Sequence, residues 1–442
     1  MKKETFNKIT DYLTSIIKGT EFYSHVFAVG GCCRDYLSDR DIKDIDLVVS
    51  IPDGGIKFAQ WLESNGYTKG SVVVYPHFGT AMFHLKEFPE HEIEAVQTRK
   101  EAYRDVDTRN PETAFGTIKE DCTRRDFTYN AIYHPLTETG GMLDFNGNSL
   151  KDLDDNILRT CGDPNVIFTE DPLRILRAVR FAARFGSTIE DETFECAKKY
   201  VNRLEIISKE RIHDEFAKMC DVNDFWRLRK AICLLWDLGA FPYILPSLSV
   251  KHFEDGVFFL NDIYEFYKIN VKASLEELFA CFLYDSPDAE KEMRELKCDN
   301  EFIRNVMFYI NMAKKCLKEV DYDTFGENEE YHFRRWMNLC GSARKLQVVL
   351  SIDPELRDMY FDTYDFEDSL FNDMEDGNLE YYTYKLPVNG EDVMEVLGIK
   401  PGPEVKSTLD ALMNFAYINK DFKDEKSIRD YLKYIRDTRP KA

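Results

Sequence analysis

The segment AVGGCCRDYLSDRDIKDIDLVVS, residues 28–50, sets a paired glycine, an arginine and two closely spaced aspartates between two apolar runs. Its pattern predicts a strand, a turn, a helix and a second strand in that order. In a strand, residues two apart face the same side and lie about 6.5 Å apart. Asp44 and Asp46 are therefore expected to point the same way, while Ile45 and Leu47 face the opposite side. Two carboxylates so placed repel each other unless a cation lies between them.

Magnesium is the usual cation in such a site. A pair of Mg²⁺ ions, about 3.5–4 Å apart, can bridge a nucleophilic hydroxyl and a triphosphate. Gly30 and Gly31 carry no side chain, so their backbone N–H groups can approach phosphate oxygens, and Arg34 adds a forked donor. A lone Asp-x-Asp is more often a solvated pair, and a lone Gly-Gly is usually a turn. Their combination favours a phosphate and metal site with Asp44 and Asp46 as the metal ligands.

Length and composition indicate a soluble protein of several domains. The chain has 442 residues, of which 44% are hydrophobic, and domains usually have about 100–200 residues. We expect two to four units. No apolar run reaches the ~20 residues of a membrane span, and the N-terminal helix pattern lacks the core of a signal peptide. Eleven scattered cysteines without a C-x-x-C pair favour reduced thiols and argue against a zinc site. A cytoplasmic location is expected.

The net charge of −22 argues against nucleic-acid binding, because phosphate contacts need clustered lysine and arginine. The distribution of the charge weakens this objection. Residues 351–380 contain eleven acidic residues and one arginine, so much of the excess lies in one segment. We expect that segment to be a solvated face or loop, and it could also face a partner.

The quoted segment resembles the signature of the class II nucleotidyltransferases, a family of CCA-adding tRNA nucleotidyltransferases and bacterial poly(A) polymerases. Residues 386–412, LPVNGEDVMEVLGIKPGPEVKSTLDAL, resemble the tail of the CCA-adding branch. Five further stretches match the family in its order: IEAVQTRKEAY (93–103), EDCTRRDFTYNAIY (120–133), LDFNGNSLKDLDDNILR (143–159), EDPLRILRAVRFAARFG (170–186) and ISKERIHDEFAKM (207–219).

The first 150 residues alternate short β-rich runs with turns, and from about residue 165 the apolar spacing is helical. Together with the resemblance, this pattern predicts an α+β fold, in which a head with a mixed sheet and helices precedes an all-α neck, body and tail. The predicted domains are a nucleotidyltransferase head (1–150), a neck with nucleotide-selecting helices (151–220), a helical body (221–350), and an acidic segment with a helical, tRNA-binding tail (351–442).

The resemblance implies template-independent addition of C, C and A to the 3′ end of tRNA from CTP and ATP. Mg²⁺ on Asp44 and Asp46 would activate the RNA 3′-hydroxyl for in-line attack on the α-phosphate, which releases pyrophosphate. The fold often carries a third carboxylate on a neighbouring strand. Glu94, in the strand-like run EIEAVQTR, is the candidate for it and for the general base. A purely structural glutamate is an equal alternative.

The stretch RRDFTYNA, residues 124–131, places two arginines side by side. Adjacent side chains point different ways, so one arginine can reach a nucleotide while the other pairs with a carboxylate such as Asp121. By resemblance, Arg125 contacts the triphosphate. Asp126 and Asn130 are expected to read the ribose or to order the site.

In EDPLRILRAVRF, residues 170–181, Asp171, Arg174, Arg177 and Arg180 recur at three-residue steps. Such a stripe alone is usually a solvated helix face. The family gives it another meaning, because cytosine and adenine both present an amine donor beside a ring-nitrogen acceptor. Asp171 as acceptor and Arg174 as donor would accept C and A and reject U and G. Arg177 and Arg180 would hold phosphate or sugar.

Two alternatives remain open from the sequence. A poly(A) polymerase, or an enzyme that adds only CC or only A, shares the head motifs. The charged stretch 99–121, which contains Arg109-Asn110-Pro111, has the pattern of a mobile loop. The resemblance implies that this loop helps to switch from C to A addition, and together with the tail it favours CCA addition. An inactive RNA-binding module is disfavoured, since both metal carboxylates and the Asp171/Arg174 pair are present.

Overall fold

The structure is a computed structural model. It describes residues 1–76, 79–102, 112–220, 225–251, 253–254, 256–257, 274–319, 332, 335–337, 339–341, 343–357, 385–418 and 424–438. The described residues fall into two compact units, the first formed mainly by Met1–Pro246 and the second by later residues. Arg109-Asn110-Pro111, in the stretch expected to help switch from C to A addition, lies outside the described residues, as does most of the acidic segment.

A seven-stranded mixed sheet, in the order β3-β4-β5-β2-β1-β8-β9, forms the centre of the head. Only its β2–β5 pair is parallel. A separate antiparallel hairpin, β6–β7, lies within the 99–121 stretch, so the described parts of this predicted loop are strands and the start of a helix. The strands are β1 (Val26–Val29), β2 (Ile45–Val49), β3 (Val73–Tyr75), β4 (Thr80–His84), β5 (Glu92–Gln97), β6 (Arg99–Ala102), β7 (Glu112–Phe115), β8 (Ile132–Pro135), β9 (Leu143–Asp144), β10 (Ile157–Leu158) and β11 (Thr188–Ile189).

Alternation along the strands separates the two faces of this sheet. Ile45, Leu47 and Val49 of β2 belong to a large apolar cluster on one face. Val48 belongs to a smaller cluster on the other face, together with Tyr133. Asp46 lies two residues before Val48 on β2 and therefore faces the same side as Val48. This confirms the prediction that Asp46 faces away from Ile45 and Leu47.

Helices cover the sheet and continue beyond it within the first unit. The short strands β10 and β11 pair in parallel, one before α7 in the chain and one after it. Gly186 caps the C-terminal end of α7 with φ +73°. Such a left-handed glycine cap is a common helix end. The helices are α1 (Lys3–Ile17), α2 (Gly31–Leu37), α3 (Gly54–Ser64), α4 (Ile118–Thr123), α5 (Ser149–Asp154), α6 (Pro164–Glu170), α7 (Leu173–Phe185), α8 (Asp191–Tyr200), α9 (Lys209–Cys220), α10 (Phe225–Leu238) and α11 (Phe241–Ile244).

The second unit is helical wherever it is described. Its last three helices bury an apolar cluster that includes Val393, Leu412 and Ile428. Its main helices are Leu275–Phe282, Ala289–Glu295, Asn300–Glu319, Ala343–Ile352, Gly390–Leu397, Pro403–Ile418 and Glu425–Thr438.

The predicted fold class is confirmed. Every strand among the described residues lies before residue 190, and helices make up the regular structure that follows. No helix in the described part of the chain is long and apolar enough to cross a membrane.

Candidate active site

Asp46 and Glu94 lie side by side on adjacent strands of the head. Strands β2 and β5 run parallel, and their register pairs Asp46 with Glu94. Asp44 immediately precedes β2, and its exposed carboxylate lies 3.8 Å from the Nζ of Lys43. The structure therefore places two of the three carboxylates predicted from the sequence in direct register and the third, Asp44, just before the same strand.

Their surroundings favour the protonated form of two of these carboxyl groups. Desolvation raises the pKa of Asp46, Arg125 opposes the shift, and the charge of Asp44 adds to it. Desolvation also raises the pKa of Glu94, with a further contribution from the charge of Asp46. Crowded carboxylates of this kind hold a divalent cation well, because its charge removes the mutual repulsion.

Gly30 forms the turn that faces these carboxylates. Its backbone has φ +80° and ψ −132°, a conformation open essentially to glycine alone. The position of a Cβ on Gly30 would lie 3.7 Å from Asp46 Oδ2 and 3.8 Å from Arg125 Nη1. Gly31 begins α2 with an ordinary backbone. The turn thus places backbone groups, a carboxylate and a guanidinium around one point.

Asp121 holds both arginines of the RRD motif. Its Oδ1 accepts from Arg124 Nη2 at 2.6 Å, and its Oδ2 accepts from Arg125 Nη2 at 3.0 Å and from the Tyr133 hydroxyl at 2.9 Å. Desolvation alone would raise the pKa of this buried carboxyl group, but Arg125 and Arg124 outweigh it and lower the pKa. The expected division, one arginine on a carboxylate and the other on the nucleotide, is not seen. Arg125 uses Nε and Nη2 on Asp121 while Nη1 lies beside Gly30.

Arg34 and Asn130 connect the glycine turn to Asp126. Arg34 is buried and donates to both oxygens of Asp35, at 2.8 and 2.9 Å, and to Asn130 Oδ1 at 2.6 Å. The Asn130 amide in turn donates to Asp126 Oδ1 at 3.1 Å. The guanidinium fork of Arg34 is therefore engaged by protein groups, which supports a role in ordering the turn. A direct contact of Arg34 with phosphate stays a prediction.

The arginines of α7 bind carboxylates and a carbonyl of the protein. Arg177 donates to Asp126 Oδ2 from Nε at 3.1 Å and from Nη2 at 2.5 Å. Arg180 donates to Glu215 Oε2 at 2.6 Å, and Arg174 donates to the carbonyl of Arg124 at 3.0 Å. Although burial alone would raise it, the pKa of Asp126 is lowered to about 2, chiefly by Arg177. These contacts fix α7 against the head, and phosphate or sugar binding by Arg177 and Arg180 stays a prediction.

Asp171 lies between α6 and α7, at the N-terminal end of α7. Its Oδ1 accepts from the backbone N–H of Leu173 at 3.3 Å, and its Oδ2 lies 3.6 Å from Arg211 Nη2. Arg174 is one turn further along α7, and its backbone N–H donates to the Asp171 carbonyl at 3.0 Å. Both members of the predicted pair thus occur at one helix end.

Sequence reasoning missed Glu215 and Arg211 of α9. Glu215 accepts a hydrogen bond from Arg180, and Arg211 lies 3.6 Å from Asp171. Both lie in the stretch 207–219, which was noted for its resemblance without roles for its charges. Their spacing of four residues puts them on one face of a helix, and this was a signal that could have drawn attention to them.

The carboxylate set suits magnesium, since hard divalent cations prefer carboxylate oxygens. Asp46 and Glu94 are adjacent, and Asp44 is exposed and close enough to affect the pKa of Asp46. The side chains of the described residues form no preassembled group of three or more histidine, cysteine or acidic ligands. Asp44 must therefore turn from Lys43 to complete a ligand set.

Family models match two regions of the chain. Residues 26–159 match the "Poly A polymerase head domain", and residues 186–251 match the "Probable RNA and SrmB-binding site of polymerase A". The first match spans the sheet and the carboxylates described above, and the second begins at the end of α7.

Full-length similarity extends these matches. The CCA-adding enzyme of Streptococcus agalactiae is 30% identical, and the alignment covers 98% of both chains. Two solved structures share the fold at 21% identity: the Thermotoga maritima CCA-adding enzyme complexed with tRNA (TM-score 0.69, covering 97% of this chain and 94% of that one) and a CCA-adding enzyme with CTP (TM-score 0.71, 99% and 96%). The carboxylate pair in the head and the full-length similarity agree, and the chain belongs to the family of CCA-adding enzymes, which are nucleotidyltransferases.

Proposed function

We propose that this protein adds C, C and A to the 3′ end of tRNA, with CTP and ATP as substrates and without a nucleic-acid template. The observation that carries the proposal is the in-register pair Asp46 and Glu94, next to the Gly30 turn and Arg125. It occurs in a chain that is similar over its whole length to CCA-adding enzymes.

The proposed reaction forms a bond between the RNA 3′-oxygen and the α-phosphorus and breaks the bond between that phosphorus and the β-phosphate oxygen. Two Mg²⁺ ions held by Asp44 and Asp46 would supply charge neutralisation and a lower pKa for the 3′-hydroxyl. Glu94 is the proposed acceptor of the proton of that hydroxyl. Its position beside Asp46 and the raised direction of its pKa support this role. Pyrophosphate leaves, with Arg125 and the backbone of Gly30 and Gly31 as the proposed phosphate donors.

Base selection is assigned to Asp171 and Arg174. An acceptor beside a donor at the start of α7 fits the Watson–Crick edges of both C and A, and each good bidentate pairing contributes about 1–3 kcal/mol of discrimination. Asp126 and Asn130 would order the site by their hydrogen bonds. Asp126 accepts from Arg177, and Asn130 accepts from Arg34 and donates to Asp126.

The domain boundaries proposed from the sequence place the head at 1–150 and the neck at 151–220, within the first compact unit. A body at 221–350 and a tail at 351–442 would bind tRNA by its backbone and shape, because a processing enzyme must accept many sequences.

The test is incubation of the protein with a tRNA transcript that ends at the discriminator base. CTP, ATP or both are supplied with MgCl₂, and products are resolved at single-nucleotide length. Three additions that then stop, with A dependent on prior CC, are the expected result. A long A ladder from ATP alone would instead identify a poly(A) polymerase.

Asp46→Asn tests the proposed metal carboxylates, and Asp41→Asn is its matched control. Asp41 is exposed in the segment before β2 and pairs with Lys2 at 2.8 Å. We expect Asp46→Asn to remove turnover by roughly a thousandfold or more, as EDTA does for the unaltered protein, and Asp41→Asn to leave it unchanged. Equal activity of the two variants would contradict the assignment.

A further inference from the structure

Strand β3, at the edge of the head sheet, carries side chains on the same face as the carboxylates. In the register of the sheet, Val73 pairs with Met82, and Met82 pairs with Glu94. Glu94 in turn pairs with Asp46. Residues that lie directly opposite each other on adjacent strands point to the same face. These four residues therefore form one row across the sheet, on strands that lie about 4.8 Å apart.

The side chains at the β3 end of this row are apolar and exposed. Val74 packs against the large apolar cluster on the other face of the sheet, so its neighbours Val73 and Tyr75 face the carboxylate side. Val73 is 51% exposed and Tyr75 is 43% exposed, whereas natural edge strands commonly carry charged residues. Met82, next in the row, is half-buried. We call Val73, Tyr75 and Met82 the edge shelf.

The proposed phosphate donors lie on the other side of Asp46. The row continues from Asp46 to Val29 of β1 and from Val29 to Tyr133 of β8. Gly30 follows Val29 in the chain, and the position of a Cβ on it would lie 3.7 Å from Asp46 Oδ2. The guanidinium of Arg125 lies 5.5 Å from the centroid of the Tyr133 ring. The triphosphate is therefore expected on the β1 and β8 side of Asp46, and the edge shelf lies on the opposite side.

The geometry of phosphoryl transfer gives this opposition a meaning. The attacking and leaving oxygens lie roughly in line, on opposite sides of the phosphorus. If pyrophosphate leaves on the β1 and β8 side, the RNA 3′-oxygen has to arrive from the β5 side, where Glu94 lies. The nucleotide that bears this hydroxyl then lies over β4 and β3, and the far end of the edge shelf is about 10 Å from Glu94, or two strand spacings.

We propose that the edge shelf binds the 3′-terminal nucleotide of the RNA substrate, with the Tyr75 ring packed against its base or ribose. The inference rests on the proposed function, which makes RNA the attacking substrate. The shelf is uncharged, so it suits a base or ribose rather than a phosphate. Stacking on an aromatic ring tolerates every base, and successive additions present different 3′ ends, first the discriminator base and then two cytosines.

The first test is photo-crosslinking of the unaltered protein to a tRNA transcript whose 3′-terminal nucleotide is a thio-substituted pyrimidine. CTP and ATP are left out, and mass spectrometry identifies the crosslinked tryptic peptide. We expect peptide 70–86, which contains β3 and β4. A crosslink to peptide 126–151, which contains β8 and β9, would place the RNA end on the phosphate side and would overturn the proposal, as would the absence of any crosslink to 70–86.

Kinetics provide the second readout. Tyr75→Ala should lower kcat/KM for tRNA roughly tenfold, as expected for the loss of one stacked base, while the KM for CTP stays as it is. Tyr75→Phe keeps the ring and should retain the activity of the unaltered protein. Val74→Ala is the matched control, because it loosens the packing of the same strand on the opposite face. It should lower the melting temperature and leave kcat/KM for tRNA unchanged.

An equal loss in Val74→Ala and Tyr75→Ala would show that the strand is merely structural, and a loss in Tyr75→Phe as large as in Tyr75→Ala would show that the ring is not the contact. Either result would rule out the edge shelf as the RNA site. The crosslink forms without turnover, so failure of CCA addition by the unaltered protein would sink only the proposed function. CCA addition together with a crosslink at 126–151 would sink only the present inference.

Discussion

The carboxyl groups of Asp46 and Glu94 have raised pKa values in the folded protein. The folded state therefore binds protons more strongly at these sites than the unfolded chain does. Their contribution to stability is favourable below the unfolded pKa, near 4, and is lost as pH rises through the folded pKa. At neutral pH without a bound cation, the ionised carboxylates of Asp46 and Glu94 should lower the free energy of unfolding.

Substitution of Glu94 by glutamine tests this sign directly. With EDTA at pH 7, Glu94→Gln should raise the unfolding free energy by about 0.2–1 kcal/mol, a range typical of partly exposed charges, and near pH 4 the difference should vanish. Turnover should fall although stability rises. Glu92→Gln, on the same strand and more exposed, is the control and should leave turnover unchanged. A loss of stability on Glu94→Gln at pH 7, measured by thermal or urea unfolding, would instead favour the structural reading of Glu94.

Gly30 and Gly31 form a matched pair for a second test, because only Gly30 has a positive φ. Gly30→Ala should cost about 1–3 kcal/mol of backbone strain and should strongly lower nucleotide incorporation, because relief of that strain would shift the turn that lies beside Asp46 and Arg125. Gly31→Ala, at the first position of α2 with Arg34 Nη2 at 3.6 Å from the new Cβ, should be nearly neutral in stability. Urea unfolding and incorporation assays measure both effects, and equal destabilisation by the two variants would rule out the backbone explanation.

At the scale of elements, α4, β8 and the RRD turn meet on one buried carboxylate. Asp121 takes bonds from Arg124, Arg125 and Tyr133, so Asp121→Asn leaves two guanidinium groups without their counter-charge. We expect a loss on the order of 3 kcal/mol at pH 7, since a buried pair is broken from one side. The lowered pKa of Asp121 gives stability that is present above the unfolded pKa and lost as pH falls through the folded pKa. The gap between variant and unaltered protein should thus narrow in acid.

The control for Asp121 is Tyr133→Phe, which removes one hydrogen bond to the same carboxylate and should cost about 1 kcal/mol. Urea unfolding at pH 7 and at about pH 3, below the unfolded pKa near 4, measures both variants. If Asp121→Asn unfolded with nearly the same free energy as Tyr133→Phe, the two arginines would have found other partners, and Asp121 would not be the hub of these elements.

The period-2 pattern of β2 predicted the facing of Asp46, because strand alternation is a local property. The neighbour of Asp46 was also predicted, since Glu94 lies in a run with the same strand character. The partners of Arg177 and Arg180 were not predictable from spacing. Asp126 and Glu215 lie 51 and 35 residues away in sequence, and only the packing of α7 against the head and α9 brings them together.

At the scale of the whole molecule, the 80 acidic and 58 basic residues must coexist with binding of a polyanion. Residues 351–380 carry a large share of the acidic excess. Binding by local patches predicts that few phosphates are neutralised, because lysine and arginine are not spread over an extended surface.

The last prediction is therefore a shallow salt dependence for tRNA binding by the unaltered protein. Each neutralised phosphate contributes about 0.7–0.9 to the slope of log affinity against log salt, and proteins with extended basic surfaces reach about −10. We expect a slope of about −2 to −4, measured by filter binding in KCl without divalent cations, which compete for phosphate. A slope near −10 would mean that many basic residues contact RNA at once, and binding would then have to rest on a broad surface within this acidic chain.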